Sequence, residues 1–220
     1  VDEKNAPPVR ELWSDEDFRA VVKPIGIDVE REFGPAGGVI HRIDTPVSGV
    51  LLLARSPRGA EAGRRLFAGR EVEKVYWAIT GIPLAFDRGE LRHWLDHTQQ
   101  GNKSKAHTEP GPGRQEAWLT YRRLATGDRY FLYEIVLGTG RTHQIRAQLA
   151  AAGSPVKGDL KYGSPRSNPG GGISLLARSL AFTHPFTGEK VVLTAEPPAG
   201  DKLWEALAAL RKDGAPGVGT

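Results

Sequence analysis

Gly38-Val39-Ile40-His41-Arg42-Ile43-Asp44-Thr45-Pro46-Val47-Ser48-Gly49-Val50-Leu51-Leu52-Leu53-Ala54 passes from glycines, through three ionisable side chains, into an apolar run. Residues 50–54 are apolar throughout and few, as in a strand buried on both faces of a sheet. Arg42 and Asp44 stand two residues apart just ahead of that run. In an extended chain they project to the same side. Alone, such an Arg-x-Asp is an ordinary surface pair.

Downstream, Ser56-Pro57 has the form of a helix start, a hydroxyl N-cap followed by proline at the first helical position. The helix is expected to run to about Ala68, stop at Gly69, and carry Arg64 and Arg65. Upstream, 18–22 reads as a strand ended by Lys23-Pro24-Ile25-Gly26, and 34–38 as a loop. Towards the C-terminus, strands are expected at 72–80, 89–95, 117–124 and 129–137 from their β-branched and aromatic residues. The polar stretch 98–115, with Lys103, Lys105 and Arg114, reads as an exposed loop or hairpin arm. Gly138-Thr139-Gly140 turns the chain into a helix over about 142–152, with Ile145, Leu149 and Ala152 as its buried stripe and Gly153 as its stop. A loop at 164–172, strands at 173–182 and 190–194, and a helix over 201–211 complete the pattern. Strands outnumber helices and come in runs, which makes the class α+β. The expected organisation is a polar leader (1–16), one domain (17–212) and a disordered tail (213–220).

With 220 residues the chain can bury a core without covalent staples, and it has no cysteine to make them. A reducing, cytoplasmic location fits. No stretch approaches the roughly 20 apolar residues of a membrane helix. The formal charge of +4 and pI near 9.4 suit a polyanionic partner. His93 and His97 invite a zinc reading, but their neighbours suggest a strand. There the two rings would lie about 13 Å apart, too far for one ion.

Chemistry at a sugar C1′ needs a carboxylate, a cation to pair with it, and for a nucleic acid a means of extracting the base. The segment 38–50 closely resembles the active-site motif of the RluA-type pseudouridine synthases. So does Leu137-Gly138-Thr139-Gly140-Arg141-Thr142-His143-Gln144-Ile145-Arg146-Ala147-Gln148-Leu149, followed by 153–159 and Tyr162-Gly163. Lys74-Val75-Tyr76 lies between them, Val22-Lys23-Pro24-Ile25-Gly26 is similar to the family's first motif, and Phe182-Thr183-His184-Pro185-Phe186-Thr187-Gly188 to its last. Five motifs in the right order are a strong signal.

The resemblance implies a large, mostly antiparallel mixed sheet flanked by helices and loops, and isomerisation of uridines in ribosomal or transfer RNA. Asp44 matches the catalytic aspartate, and Arg42 the arginine that fills the space of the flipped uridine. Tyr76 matches the aromatic that packs on the base, and Arg146 the arginine that pairs with the carboxylate, with Ile145 beside it. His41, Lys74, Arg141, His143 and Gln144 match positions that frame the pocket or meet phosphate. No cofactor and no catalytic metal are implied, and no obligate protein partner, so a monomer is expected. Both an acylal-type adduct and a glycal route stay open. The chain departs from the pattern at Val22, Val47 and Leu176, where the family has Asn, Thr and His. The leader leaves no room for the small RNA-binding domain of many relatives, so target selection is expected to fall to the catalytic domain's own loops. Two other readings differ in kind. A binding-only module has no need of Asp44, Tyr76 and Arg146 together, and a hydrolase wants a second carboxylate that the two main motifs lack.

Overall fold

A computed structural model describes residues 9–98 and 102–211. The chain opens with an antiparallel meander of β1 (Arg10–Ser14), β2 (Phe18–Lys23) and β3 (Ser48–Ala54). The expected leader is corrected here: residues 10–14 form an edge strand, while 1–8 lie outside the described residues. Leu12 and Trp13 pack against the main core, a contribution hidden by their charged neighbours. Between β2 and β3 sit a short helix, α1 (Val29–Phe33), capped by the Asp28 side chain, and a single 3-10 turn at Gly34–Ala36, where a plain loop was expected.

In β3 the residues from Gly49 to Leu53 are buried, as the apolar run requires. Helix α2 (Pro57–Gly69) begins as read: Ser56 accepts the Gly59 amide hydrogen, and Ala60, Ala62, Gly63 and Leu66 face the core. Then come β4 (Glu73–Thr80), β5 (Arg88–Thr98), β6 (Lys103–His107), β7 (Gln115–Thr126) and β8 (Phe131–Leu137). Strands β5 and β6 make the hairpin arm expected in 98–115, whose residues 99–101 lie outside the described ones. Helix α3 (Gln144–Ala151), β9 (Leu175–Thr183), β10 (Lys190–Thr194) and α4 (Lys202–Ala209), capped by Asp201, follow. The expected tail at 213–220 lies outside the described residues.

Among the described residues the strands form one sheet in the order β1-β2-β3-β9-β4-β8-β7-β5-β6, with β10 also on β9. Strand β9 therefore joins the N-terminal meander to the larger antiparallel half. Its link to β3 is parallel and short, Ser48 with Leu176 and Gly49 with Ala177, while the other strand pairs are antiparallel. Gly49 sits at φ +125° with its Cα against the Ala177 backbone, so a side chain there would collide with the Ala177 carbonyl.

Helix α3 differs from its expected span of 142–152. His143 takes the left-handed conformation (φ 54°), which an α-helix excludes, so the helix starts at Gln144, two residues later than expected. Ala152 is the C-cap and exposed rather than part of the buried stripe. From Gln144 to Leu149 every residue is buried, polar ones included. A helix sunk this deeply must pair its polar groups internally, and those pairs build the site.

Candidate active site

Five pieces of chain converge on one cavity of about 430 Å³: the loop ahead of β3, the end of α2, the start of β4, the turn into α3, and Leu175 at the start of β9. Its lining carries five cations, Arg42, Arg70, Lys74, Arg141 and Arg146, against one carboxylate, Asp44. That balance favours a phosphate-bearing ligand.

Asp44 lies in the loop ahead of β3, and its side chain is 23% exposed. Arg146, one turn into α3, is almost wholly buried and reaches Asp44 Oδ2 with Nη1 at 3.0 Å. Its other two nitrogens donate to Asp159, Nε to Oδ2 at 2.7 Å and Nη2 to Oδ1 at 2.9 Å. Burial opposes the guanidinium charge, but the hydrogen bonds and charge of Asp159, joined by Asp44, outweigh it and raise the arginine's pKa. The fork of Arg146 is thus fixed by Asp159 and its last donor aimed by geometry.

Tyr76 is half-buried, lines the cavity and packs beside Ile43 and Ala177. The β4–β9 ladder shifts register between Val75 and Tyr76, as where a bulge re-aims a side chain beside a site. Trp77, pointing the other way, is core. Burial first, and the Asp44 charge second, push the Tyr76 phenol up, so it stays protonated. Ile145 is buried and reaches the cavity wall. Arg42 is exposed at the rim, and its Nη2 donates to Thr142 Oγ1 at 3.2 Å. Across the cavity, burial and then the Arg70 charge lower the pKa of Lys74.

His41 and Gln144 line the cavity but hold the frame. The His41 Nε2 accepts the Leu52 amide hydrogen at 2.9 Å while the ring stacks on Phe67. Gln144 Oε1 accepts from Thr139 Oγ1 and the Arg141 amide, and its Nε2 donates to the Trp118 carbonyl. Arg141 donates from Nε to the Glu116 carbonyl at 3.2 Å, at the edge of the arm. His143 faces Asp44, with Nε2 3.8 Å from Oδ2. Burial foremost, with Arg146 and Lys161 and against the pull of Asp44, pushes its pKa down to about 4. The cavity therefore gathers every residue that the resemblance assigns to the site.

Sequence reasoning gave no role to Asp159, Tyr162, Arg70 or Lys23. Asp159 and Tyr162 stand inside a quoted motif, but nothing linear ties them to Arg146 and His143. Lys23 is fully buried, and its Nζ donates to the carbonyls of Pro24, Ile27 and, at 3.3 Å, Thr45, bracing the residue next to Asp44. Burial pushes its pKa down to about 8. His93 and His97 lie in β5, His93 against Gln148 and His97 against Ser104. Among the described residues no three His, Asp or Glu side chains gather as a metal site, and no helix is long and apolar enough to cross a membrane.

The family model described as RNA pseudouridylate synthase matches residues 23–151, more than half of the chain. An uncharacterized RNA pseudouridine synthase of Bacillus subtilis, YlyB, is 32% identical over 80% of the chain, which spans 57% of that protein's length. The tRNA pseudouridine synthase C of Vibrio vulnificus is 31% identical, covering 89% of the chain and 92% of the relative. In three dimensions, human RNA pseudouridylate synthase domain containing 1 superposes with a TM-score of 0.72 at 23% identity, covering 92% of this chain and 95% of that one.

Proposed function

The chain belongs to the RNA pseudouridylate synthase family, and from that membership we propose that it isomerises specific uridines of ribosomal or transfer RNA to pseudouridine, with Asp44 as the catalytic carboxylate. The observation that carries this reading is the Asp44–Arg146 pair set among four further cations in one cavity. The phosphates of an RNA strand answer to the rim cations, and Arg42, exposed at the rim, takes the place of the extracted uridine in the stack. Tyr76 packs on the freed base. Asp44 engages C1′ as its bond to N1 breaks. The base turns, C5 bonds to C1′, C5 gives up its proton and N1 gains one, so no atom is lost. Tyr76 starts as a neutral phenol, which suits packing and hydrogen bonding; taking the C5 proton itself would require prior ionisation against its raised pKa. No step calls on a cofactor or metal, and the cytoplasm is the compartment in which these RNAs would be met.

Hydrolysis at the same C1′ is disfavoured by the second carboxylate nearby. Asp159 has both oxygens engaged by Arg146, and its side chain is 1% exposed, so it has no free edge to activate water. The test is RNA labelled with tritium at uridine C5. Release of tritium with a nucleoside of unchanged mass is expected, and intact label from every cellular RNA would refute the reading.

A further inference from the structure

Asp44 is contacted on one side. Among the described residues both of its side-chain partners, Arg146 Nη1 at 3.0 Å and His143 Nε2 at 3.8 Å, fall on Oδ2. What His143 presents to that oxygen depends on which ring nitrogen holds its proton. A proton on Nε2 gives an attractive N–H; a proton on Nδ1 turns a lone pair toward a carboxylate.

The far side of the ring decides between them. His143 Nδ1 lies 3.0 Å from the hydroxyl of Tyr162. That hydroxyl already accepts the Ser104 amide hydrogen at 2.8 Å. Its own proton is then free to be donated, and Nδ1 is the acceptor in reach. Burial holds the Tyr162 phenol up at about 12, so it keeps that proton at neutral pH. Ser104, 2% exposed on β6 of the hairpin arm, also donates from Oγ to the Thr142 carbonyl at 2.6 Å. It thereby holds the residue before His143 as well as the hydroxyl behind it.

We propose that Ser104 and Tyr162 are positioning residues that act through His143, fixing its imidazole as the neutral Nε2–H tautomer so that its N–H and Arg146 both hold Asp44 Oδ2 and leave Oδ1 to meet the sugar. The His143–Asp44 distance is longer than a hydrogen bond, and a sub-ångström shift of either side chain closes it. The relay also ties the seating of the arm, with Lys103 and Lys105 on either side of Ser104, to the reacting carboxylate. The role given to Oδ1 rests on the proposed isomerase activity; the tautomer does not.

The experiment has two readouts. Two-bond 1H–15N correlation of 15N-histidine protein, with the His143 signals identified by their loss in His143→Gln, reads the tautomer directly. Wild type is expected to show Nε2–H, and Tyr162→Phe a shift toward Nδ1–H. An Nδ1–H signal in wild type overturns the proposal, whether or not the protein turns over RNA. In kinetics, Tyr162→Phe is expected to lower kcat about tenfold with KM for RNA unchanged, the loss of one well-placed hydrogen bond. Gln and Asn at 143 give an internal control. Asn better tolerates the left-handed backbone at φ 54°, but Gln better reproduces the reach of Nε2. Higher kcat for His143→Gln than for His143→Asn, despite a lower Tm, is expected. The reverse order in kcat would reduce His143 to a backbone role and sink the relay. Should wild type release no tritium at all, the isomerase reading falls while the spectra still judge the tautomer.

Discussion

Asp159 grips Arg146 through two parallel hydrogen bonds, 2.7 and 2.9 Å, and so decides where the arginine's third nitrogen, Nη1, points. Removing one partner of a buried ion pair strands the other charge, at a cost of about 3–5 kcal/mol. Asp159→Ala is accordingly expected to lower Tm by on the order of 10 °C and to depress tritium release even well below the new Tm. A melt and a rate at one low temperature check both, and full activity in the variant would show that Arg146 needs no second anchor.

Asp44→Asn keeps the size and most of the polarity of the side chain while abolishing its negative charge. Turnover is expected to vanish while affinity for RNA, read by fluorescence anisotropy, stays within several-fold. Measurable steady-state turnover would remove Asp44 from the chemistry.

Arg42 is exposed and bonded only to the side chain of Thr142 among the contacts described, so Arg42→Ala is expected to leave Tm within about 2 °C of wild type. On a structured stem-loop its kcat/KM is expected to fall at least about tenfold. The deficit should shrink on an RNA whose target uridine is already unstacked. An equal deficit on both substrates would make Arg42 a phosphate contact rather than a wedge.

His41 makes the fold sensitive to acid. Burial, and then the Lys74 charge, push its pKa down to about 3 from the ordinary 6.5, and its Nε2 must stay unprotonated to accept the Leu52 amide hydrogen. Between those values the unfolded chain takes up a proton that the folded one refuses. This contribution is complete above about pH 6.5 and drains away as pH falls toward 3, by up to about 1.4 kcal/mol per pH unit. His143 titrates in an overlapping window, so the informative quantity is the difference from His41→Gln, whose amide oxygen can accept the same bond without titrating. Wild type is expected to lose more stability than His41→Gln between pH 6.5 and 4; parallel curves would discount His41.

Gly49→Ala places a methyl group on the Ala177 carbonyl, at a φ of +125° that disfavours any side chain. The variant is expected to melt on the order of 10 °C lower or to fail to fold. A Tm unchanged from wild type would mean that β9 can shift to make room.

Much of this was readable in the chain. The apolar run 50–54, the Ser56-Pro57 start and the alternating strands carry their own periodicities, and the motif residues Asp44, Tyr76 and Arg146 do meet in one cavity. What escaped was set by tertiary contacts. Residues 10–14 look like leader because Arg10, Glu11 and Ser14 dominate their composition, and they become a strand because β2 offers an edge. The start of α3 was misplaced because His143 takes a left-handed backbone that its residue type does not announce. Asp159 gained its part from the neighbouring α3, and Tyr162 from the N-cap of α3 and from β6, distant in sequence.

Strand β9 has a consequence for the order of assembly. It lies far along the chain from the two strands it joins, yet it fills the gap between β3, next to Asp44, and β4, which carries Tyr76. Without β9 in place, β3 and β4 have no strand between them, and the pocket they frame together is not held. Closure needs contacts across most of the chain, the kind of topology that folds slowly. The pocket thus depends on a strand that comes later in the chain than every residue proposed to act in it.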